Sequence, residues 1–209
     1  MLKLFDELLS ATPLQLTLEQ KKAQLHYLAL LTHWNKVYNL TAVRQPEQML
    51  SRHIMDSLSV APFLQGAHLL DVGSGAGLPG IPLAIAQPER QFTLLDSAGK
   101  RTRFLTHVQQ QLGLTNVTVI QSRVESFRPT LLFDGIMSRA FAALSTMLNQ
   151  CHHLLCANGQ FYAMKGKLAA EALTAIAVGF SVTEIISLQV PGIFNEERHL
   201  VVIKNSVKN

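Results

Sequence analysis

Cysteine is scarce in this 209-residue chain: only Cys151 and Cys156 occur, five positions apart in an apolar stretch. That setting reads as two reduced core residues rather than a disulfide or a metal pair. Long apolar runs are missing too. None approaches the roughly 20 residues that cross a bilayer. The opening residues, Met1-Leu2-Lys3-Leu4-Phe5-Asp6-Glu7, are mixed in charge, and no small-residue cleavage site follows an apolar region. The expectation is therefore a soluble cytoplasmic protein with no membrane partner and no secretion signal. Metal-ligand spacing is also lacking. His152-His153 are adjacent and diverge on a helix, and His199 has no carboxylate or cysteine at a useful distance in sequence.

What is present is a 48% hydrophobic composition, enough for one substantial core and a small appendage. The net charge of +4 favours polyanionic partners without proving one. Its distribution says more. Residues 1–60 are nearly balanced, six basic against five acidic, whereas 100–139 hold Lys100, Arg101, Arg103, Arg123, Arg128 and Arg139 against only Glu125 and Asp134. Either a solvated basic face or a site for an acidic substrate accounts for that bias.

Residues 1–60 carry helical patterning. Thr17 with Gln20 is a capping-box signature, and Leu25, Leu28, Leu31 and Trp34 then recur on one face. A polar break at Asn39-Leu40-Thr41 precedes a second helix from about Pro46 to Val60. From Ala67 the rhythm changes to short apolar runs alternating with amphipathic helices. Strands are expected at 68–72, 91–96, 117–121, 134–138 and 160–164, and helices near 79–87, 100–112, 142–156 and 167–178. That alternation implies a parallel sheet covered on both faces. Ser181–Val190 and His199–Lys204, separated by a Pro191-Gly192 loop, read as a terminal hairpin. The expected division is a helical N-terminal extension over 1–62 and an α/β domain over 63–209.

The most informative segment runs Leu69-Leu70-Asp71-Val72-Gly73-Ser74-Gly75-Ala76-Gly77-Leu78-Pro79-Gly80. It reads as a buried strand ending in an acid, a glycine loop and a helix start. Taken literally, Gly75 to Gly80 match the dinucleotide fingerprint G-x-G-x-x-G, with Asp96 near the end of the next strand. The register is awkward, because the strand ends at Asp71 and those glycines begin four residues late. A pyrophosphate at the helix start wants donors and positive potential, which a carboxylate opposes. S-adenosylmethionine has no phosphate and carries ammonium and sulfonium charges, so Asp71 favours it over a nicotinamide cofactor. Gly73, Gly75 and Gly77 permit close backbone approach or positive φ. Asp96 can accept both ribose hydroxyls of an adenosine, or cap the following helix. Val124 offers apolar contact to an adenine edge, with Glu125 either beside it or simply at the surface.

The chain resembles the bacterial small-subunit ribosomal RNA guanine-N7 methyltransferases, also called glucose-inhibited division protein B. The resemblance rests on Trp34-Asn35 with Asn39-Leu40-Thr41, Arg52-His53 with Asp56-Ser57, and Asp71 through Gly80. It continues through Leu95-Asp96-Ser97, Lys100-Arg101 with Phe104-Leu105, Phe133-Asp134, Ser138-Arg139-Ala140 and Lys165-Gly166. It implies a class I S-adenosylmethionine-dependent methyltransferase fold (Rossmann-like α/β), with a mostly parallel seven-stranded sheet, a C-terminal antiparallel hairpin and a helical N-terminal extension. It further implies methyl transfer to N7 of guanosine 527 in the 530 loop of 16S ribosomal RNA, with S-adenosylhomocysteine as product and no metal. The partner is then 16S RNA or a small-subunit assembly particle, with a monomer as the default. Cofactor contacts carried over fall on Gly73, Leu78, Val124, Glu125 and Arg139, with Asp71 and Asp96 at the common acidic positions.

Guanine N7 already holds an in-plane lone pair and needs no deprotonation. Consistently, the fourth strand is followed by Ser138-Arg139-Ala140, not by the Asn/Asp-Pro-Pro-aromatic device for exocyclic amines. Catalysis would rest on in-line alignment and exclusion of water. Arg139 is the candidate catalytic residue. A guanidinium reads guanine O6 and N7, but donation to N7 would block attack, so O6, a phosphate or the cofactor carboxylate remains for it, unless Asp134 or another internal acid pairs it instead. Arg52, His53, Lys100, Arg101, Lys165 and Arg198 are candidate RNA-backbone contacts. Trp34 is expected to pack the helical extension onto the sheet.

Overall fold

The computed structural model describes residues 1–139, 143–168, 176 and 178–206. Seven strands form one sheet: β1 (His68–Val72), β2 (Gln91–Asp96), β3 (Val117–Gln121), β4 (Phe133–Arg139), β5 (Leu155–Lys165), β6 (Phe180–Ser187) and β7 (His199–Asn205). Their order is β3-β2-β1-β4-β5-β7-β6, parallel from β3 to β5, with β7 antiparallel to both its neighbours. The order reverses between β1 and β4. In open α/β sheets, the crevice beyond the carboxyl ends at such a switch is where ligands bind.

Every central strand is buried on both faces, and the alternation decides which core each residue enters. Leu69, Leu94, Leu200 and Val202 face one core, while Leu70, Leu95, Val201 and Ile203 face the other. The second core is covered by α7 (Leu144–Cys151) through Leu144, Met147, Leu148 and Cys151. The first takes α5 (Gly80–Ala86), α6 (Gly99–Leu112) and all the N-terminal helices. Of these, α1 (Leu2–Ser10) contributes Phe5 and Leu9, and α2 (Leu18–Tyr38) contributes Tyr27, Leu28 and Leu31. The extension therefore shares one apolar core with the sheet.

Thr17 caps α2 in a complete capping box with Gln20, and Asn39 ends it in the left-handed region at φ 48°. Trp34 lies against Phe104 and His107 of α6, with ring centroids 5.5 and 5.2 Å away, and so joins the extension to the α/β layer as expected. The second helix expected over 46–60 divides into α3 (Pro46–Met49), a π-helical turn Leu50–Met55 and α4 (Asp56–Leu58). Three boundaries differ from expectation, one of them the start of β5, at Leu155 and not at 160. The helix expected to reach 156 ends at Cys151, followed by a 3-10 turn over His152–Leu154, because Leu155 pairs with Phe133 and starts β5. The histidines thus sit on a tight turn with rings 5.9 Å apart, rather than on opposite sides of a helix. The hairpin strand expected over 181–190 stops at Ser187. The helix expected over 167–178 lies largely outside the described residues.

Candidate active site

The glycine loop is built from the end of β1 upward. Gly73 and Ser74 donate their N–H groups to the Leu95 carbonyl (2.8 and 3.1 Å), which folds the loop over the end of β2. Asp71, one residue short of the strand end, lies beneath the loop and is 1% exposed. Its Oδ2 accepts the Gly80 N–H at 3.0 Å, so the carboxylate itself occupies the first turn of α5. A Cβ at Gly80 would lie 2.8 Å from that oxygen, so only glycine allows the approach. No pyrophosphate has room where the Asp71 carboxyl already takes the helix-start N–H. Asp71 Oδ1 is buried with no hydrogen-bond partner among the described residues, and burial pushes the carboxyl up to about 7.

Gly73, Gly75 and Gly77 all adopt positive φ (69°, 57° and 90°). At Gly77 a Cβ would in addition meet Ile81 Cγ1 at 2.6 Å and Leu105 Cδ2 at 2.8 Å. The loop is also held from outside by α2. Buried Tyr27 donates its hydroxyl to the Ala76 carbonyl at 2.7 Å, and Gln24 Nε2 donates to the Pro82 carbonyl at 2.8 Å. Gln20 Nε2 reaches the carbonyls of Ile85 and Ala86, both at 3.1 Å.

Beyond the carboxyl ends of β1, β2 and β3 opens a cavity of about 270 Å³. Gly73, Asp96, Val124 and Glu125 all line it, together with Val72, Leu95, Arg101, Ser122, Arg123 and Gln150. Asp96 is buried beneath three donors. Its Oδ2 accepts the Gly75 N–H (2.9 Å) and Arg101 Nη1 (3.2 Å), and its Oδ1 accepts the Ala98 N–H (2.9 Å). The carboxylate thus ties the glycine loop to the start of α6 and presents its edge to the cavity. Val124 and Glu125 lie on a 3-10 turn, Val124 buried and Glu125 exposed.

A second cavity, of about 310 Å³, opens beyond β4 and β5 and is lined by Arg52, His53, Asp56, Arg139, Lys165 and Arg198, among others. Arg139 Nη1 donates to Asp56 Oδ2 and to the Arg52 carbonyl, both at 3.0 Å. Asp56 Oδ1 accepts Arg198 Nε at 3.1 Å, and Arg198 Nη2 reaches Glu196 Oε2 at 2.8 Å. Glu196 also pairs with Arg52. The Arg52–Asp56 spacing favours pairing along a helix. The π turn between them instead turns Asp56 toward β4 and β7, and such turns recur at functional sites. His53 is buried and shares a 2.8 Å hydrogen bond with Thr41 Oγ1. Burial, reinforced by the Arg139 charge, pushes it down to about 4, so at neutral pH it is an uncharged strut and not a cation for RNA.

Gly73, Asp96, Val124 and Glu125 are thus brought together. Asp71, Gly77 and Leu78 support the loop from behind, Gly75 contributes its N–H to Asp96, and Arg139 stands in the other cavity. Arg52, Lys165 and Arg198 join Arg139 there, whereas Lys100 lies outside both linings and Arg101 faces the first. Tyr27, Gln150 and Glu196 carry no motif in the sequence, and Asp56 stands in one, Arg52-His53 with Asp56-Ser57, that assigns it no role. Cys151 is buried, with its thiol pushed up to about 12 by that burial, and is no nucleophile. Among the described residues no group of His, Cys, Asp and Glu suits a metal ion, and no helix is long and apolar enough to cross a membrane.

Residues 20–201 match the family described as GidB, rRNA small subunit methyltransferase G. Proteins called ribosomal RNA small subunit methyltransferase G are similar over nearly the whole chain. The one from Klebsiella pneumoniae subsp. pneumoniae is 54% identical over 98% of both chains. That from Sodalis glossinidius is 56% identical over 97% of this chain and 98% of its own. Among solved structures, the mitomycin 7-O-methyltransferase MmcR (TM-score 0.60, 15% identity) is covered over 60% of its length by 85% of this chain. The pyocyanin biosynthetic protein PhzM (TM-score 0.61, 14% identity) is covered over 61% by 83% of this chain. At such identities these two speak for the fold alone. The loop geometry, the sheet order and the relatives lead to one conclusion: the chain belongs to the GidB family and is an S-adenosylmethionine-dependent methyltransferase of the class I fold.

Proposed function

We propose that the protein transfers a methyl group from S-adenosylmethionine to N7 of guanosine 527 (conventional numbering) in the 530 loop of 16S ribosomal RNA. The observation that carries this reading is the pair of cavities flanking the β1/β4 switch. One suits an adenosine-type cofactor, and the other is lined by Arg52, Arg139, Lys165 and Arg198 around a single buried carboxylate. The relatives' names supply the ribosomal RNA.

The first cavity fits the cofactor. Asp96 faces the place of a ribose, with Val72, Leu95 and Val124 as apolar walls and Gln150 as a polar contact. The unpartnered Oδ1 of Asp71 lies under the loop where a cationic ligand is favoured. When bound, S-adenosylmethionine supplies an electrophilic methyl on a cationic sulfur and leaves as S-adenosylhomocysteine. The chain's own work is to position. Asp96 would hold the ribose hydroxyls, and the apolar walls of Val72, Leu95 and Val124 would keep water from the adenine. Arg139, fixed by Asp56 and the Arg52 carbonyl, donates to guanine O6 or a neighbouring phosphate and leaves the N7 lone pair in line for attack. The acceptor atom needs no base, and His53 is too weak a base to serve as one. Arg52, Lys165 and Arg198 take backbone phosphates. Residues 1–62 act as the helical extension and 63–209 as the methyltransferase domain of a cytoplasmic monomer that needs no metal.

The test is transfer of labelled methyl to undermethylated small-subunit particles and to naked 16S RNA, followed by mapping of the modified base. Label at N7 of that guanosine is expected, and its loss in Arg139→Ala with cofactor affinity retained would assign the arginine to the acceptor side. Tight RNA binding with no methyl transfer to either substrate would sink the proposal.

A further inference from the structure

Glu196 is held as a free anion would be held. Arg198 Nη2 reaches its Oε2 at 2.8 Å, Arg52 Nη1 approaches the same oxygen at 3.4 Å, and Arg52 Nη2 bonds Oε1. Two guanidinium groups thus converge on the two oxygens of one carboxylate, the fork geometry that also suits phosphate. The other acid in the network differs. Asp56 has a 5% exposed side chain and is locked between Arg139 and Arg198, whereas the side chains of Glu196 and Arg52 are 36% and 42% exposed. Exposed ion pairs contribute little net stability, so the Glu196 contact is cheap to exchange. Glu196 also sits on the loop between β6 and β7, where a side chain can swing away without disturbing the sheet.

We propose that the Glu196 carboxylate occupies the seat of an RNA backbone phosphate, acting as a built-in competitor that the substrate phosphodiester displaces from Arg52 and Arg198. The inference rests on the RNA reading above and adds to it a particular subsite. Displacement leaves Asp56 in place, so Arg139 keeps its orientation while Arg52 and Arg198 turn to the substrate. The exchange also confers selectivity. A single weak anion gains little by evicting Glu196, whereas a folded RNA engaging Lys165 and Arg139 at the same time overcomes the competitor.

The experiment measures equilibrium binding of a 530-loop RNA hairpin, with methyl transfer by the native enzyme to undermethylated small subunits followed in parallel. Glu196→Gln is expected to bind the hairpin about three- to fivefold more tightly at low salt, with the gain shrinking as salt screens the pair. The neighbouring Glu197→Gln, which changes net charge equally, is expected to give a smaller gain. In an Arg52→Gln background the gain from Glu196→Gln is expected to shrink, because only the Arg198 contact is left for Glu196 to block. Unchanged or weaker binding by Glu196→Gln, or an equal gain from Glu197→Gln, overturns the phosphate seat while native methyl transfer leaves the RNA reading standing. Absence of native methyl transfer overturns both. Unaltered S-adenosylmethionine affinity certifies that each variant is folded.

Discussion

Asp71 stands one residue from the end of β1 and Asp96 ends the neighbouring parallel β2, yet their surroundings divide them. Asp96 accepts from three donors, whereas Asp71 has one backbone N–H and a buried oxygen with no partner among the described residues. Burial therefore raises the Asp71 carboxyl from 3.8 to about 7. Between these values the unfolded chain is ionised while the folded chain keeps the proton. Stability contributed by that proton is present at pH 4, is lost as pH rises toward 7 and changes no further above it. Asp71→Asn cannot ionise. Relative to it, the native protein should lose on the order of 2–4 kcal/mol of unfolding free energy between pH 4 and 8. Urea titrations of both proteins across that range check this, and parallel curves would remove the ionisation argument. A cation bound over the loop draws the proton off, so affinity for S-adenosylmethionine should rise from pH 6 to 8 more steeply in the native protein than in Asp71→Asn. The position of Asp71 before the glycines was legible in the sequence. Its burial behind them was not, because that depends on Gly80 returning nine residues later to cover it.

At the scale of elements, the glycine loop owes its shape to α2 as much as to its glycines. The strands β1, β2 and β3 and the helix α6 could be read to within a residue, since apolar alternation, flanking turns and helical spacing are local signals. The π turn over Leu50–Met55 could not, because Leu50, Ser51, His53, Ile54, Met55 and all of α4 are buried, so no continuous polar face marks where the register shifts. The start of β5 at Leu155 was equally hidden: Leu154-Leu155-Cys156 continues a helical pattern, and only pairing with Phe133 makes it strand. Nor did the apolar face of α2 reveal that Gln20, Gln24 and Tyr27 all donate to backbone carbonyls of the loop and α5. Tyr27→Phe keeps the ring packed and removes only the donor, leaving the buried Ala76 carbonyl unpaired. The expected cost is about 1–2 kcal/mol, together with weaker cofactor binding as the loop loosens. Chemical denaturation and calorimetric titration with S-adenosylmethionine check the two parts. Lost stability with unchanged affinity would confine Tyr27 to the core.

For the whole molecule, the alternation of strands and helices and the terminal hairpin were enough to anticipate a mostly parallel sheet with an antiparallel edge. The charged cleft was not anticipated, because its pairs lie far apart in sequence: Asp56 meets Arg139 83 residues away and Arg198 142 residues away. Composition could show that Arg139 and the basic residues near it were in excess. It could not show that an acid from the N-terminal extension holds Arg139 in place. Asp56 thereby joins the extension, the end of β4 and the approach to β7 around one point, which makes it a positioning residue for the proposed acceptor side. Asp56→Asn keeps the shape and one acceptor oxygen but leaves Arg139 without its counter-charge and Arg198 with that of Glu196 alone. The expected loss of stability is about 2 kcal/mol, below that of emptying a buried pair because both arginines reach solvent. The cofactor cavity shares none of these residues, so S-adenosylmethionine affinity should hold. The maximal rate of RNA methylation, measured well below the melting temperature, should fall at least about tenfold because Arg139 is no longer pre-oriented, and Asp56→Glu should restore little since a longer arm misplaces the contact. A purely structural role for Asp56 predicts instead that the rate per folded molecule stays at the native value in both variants.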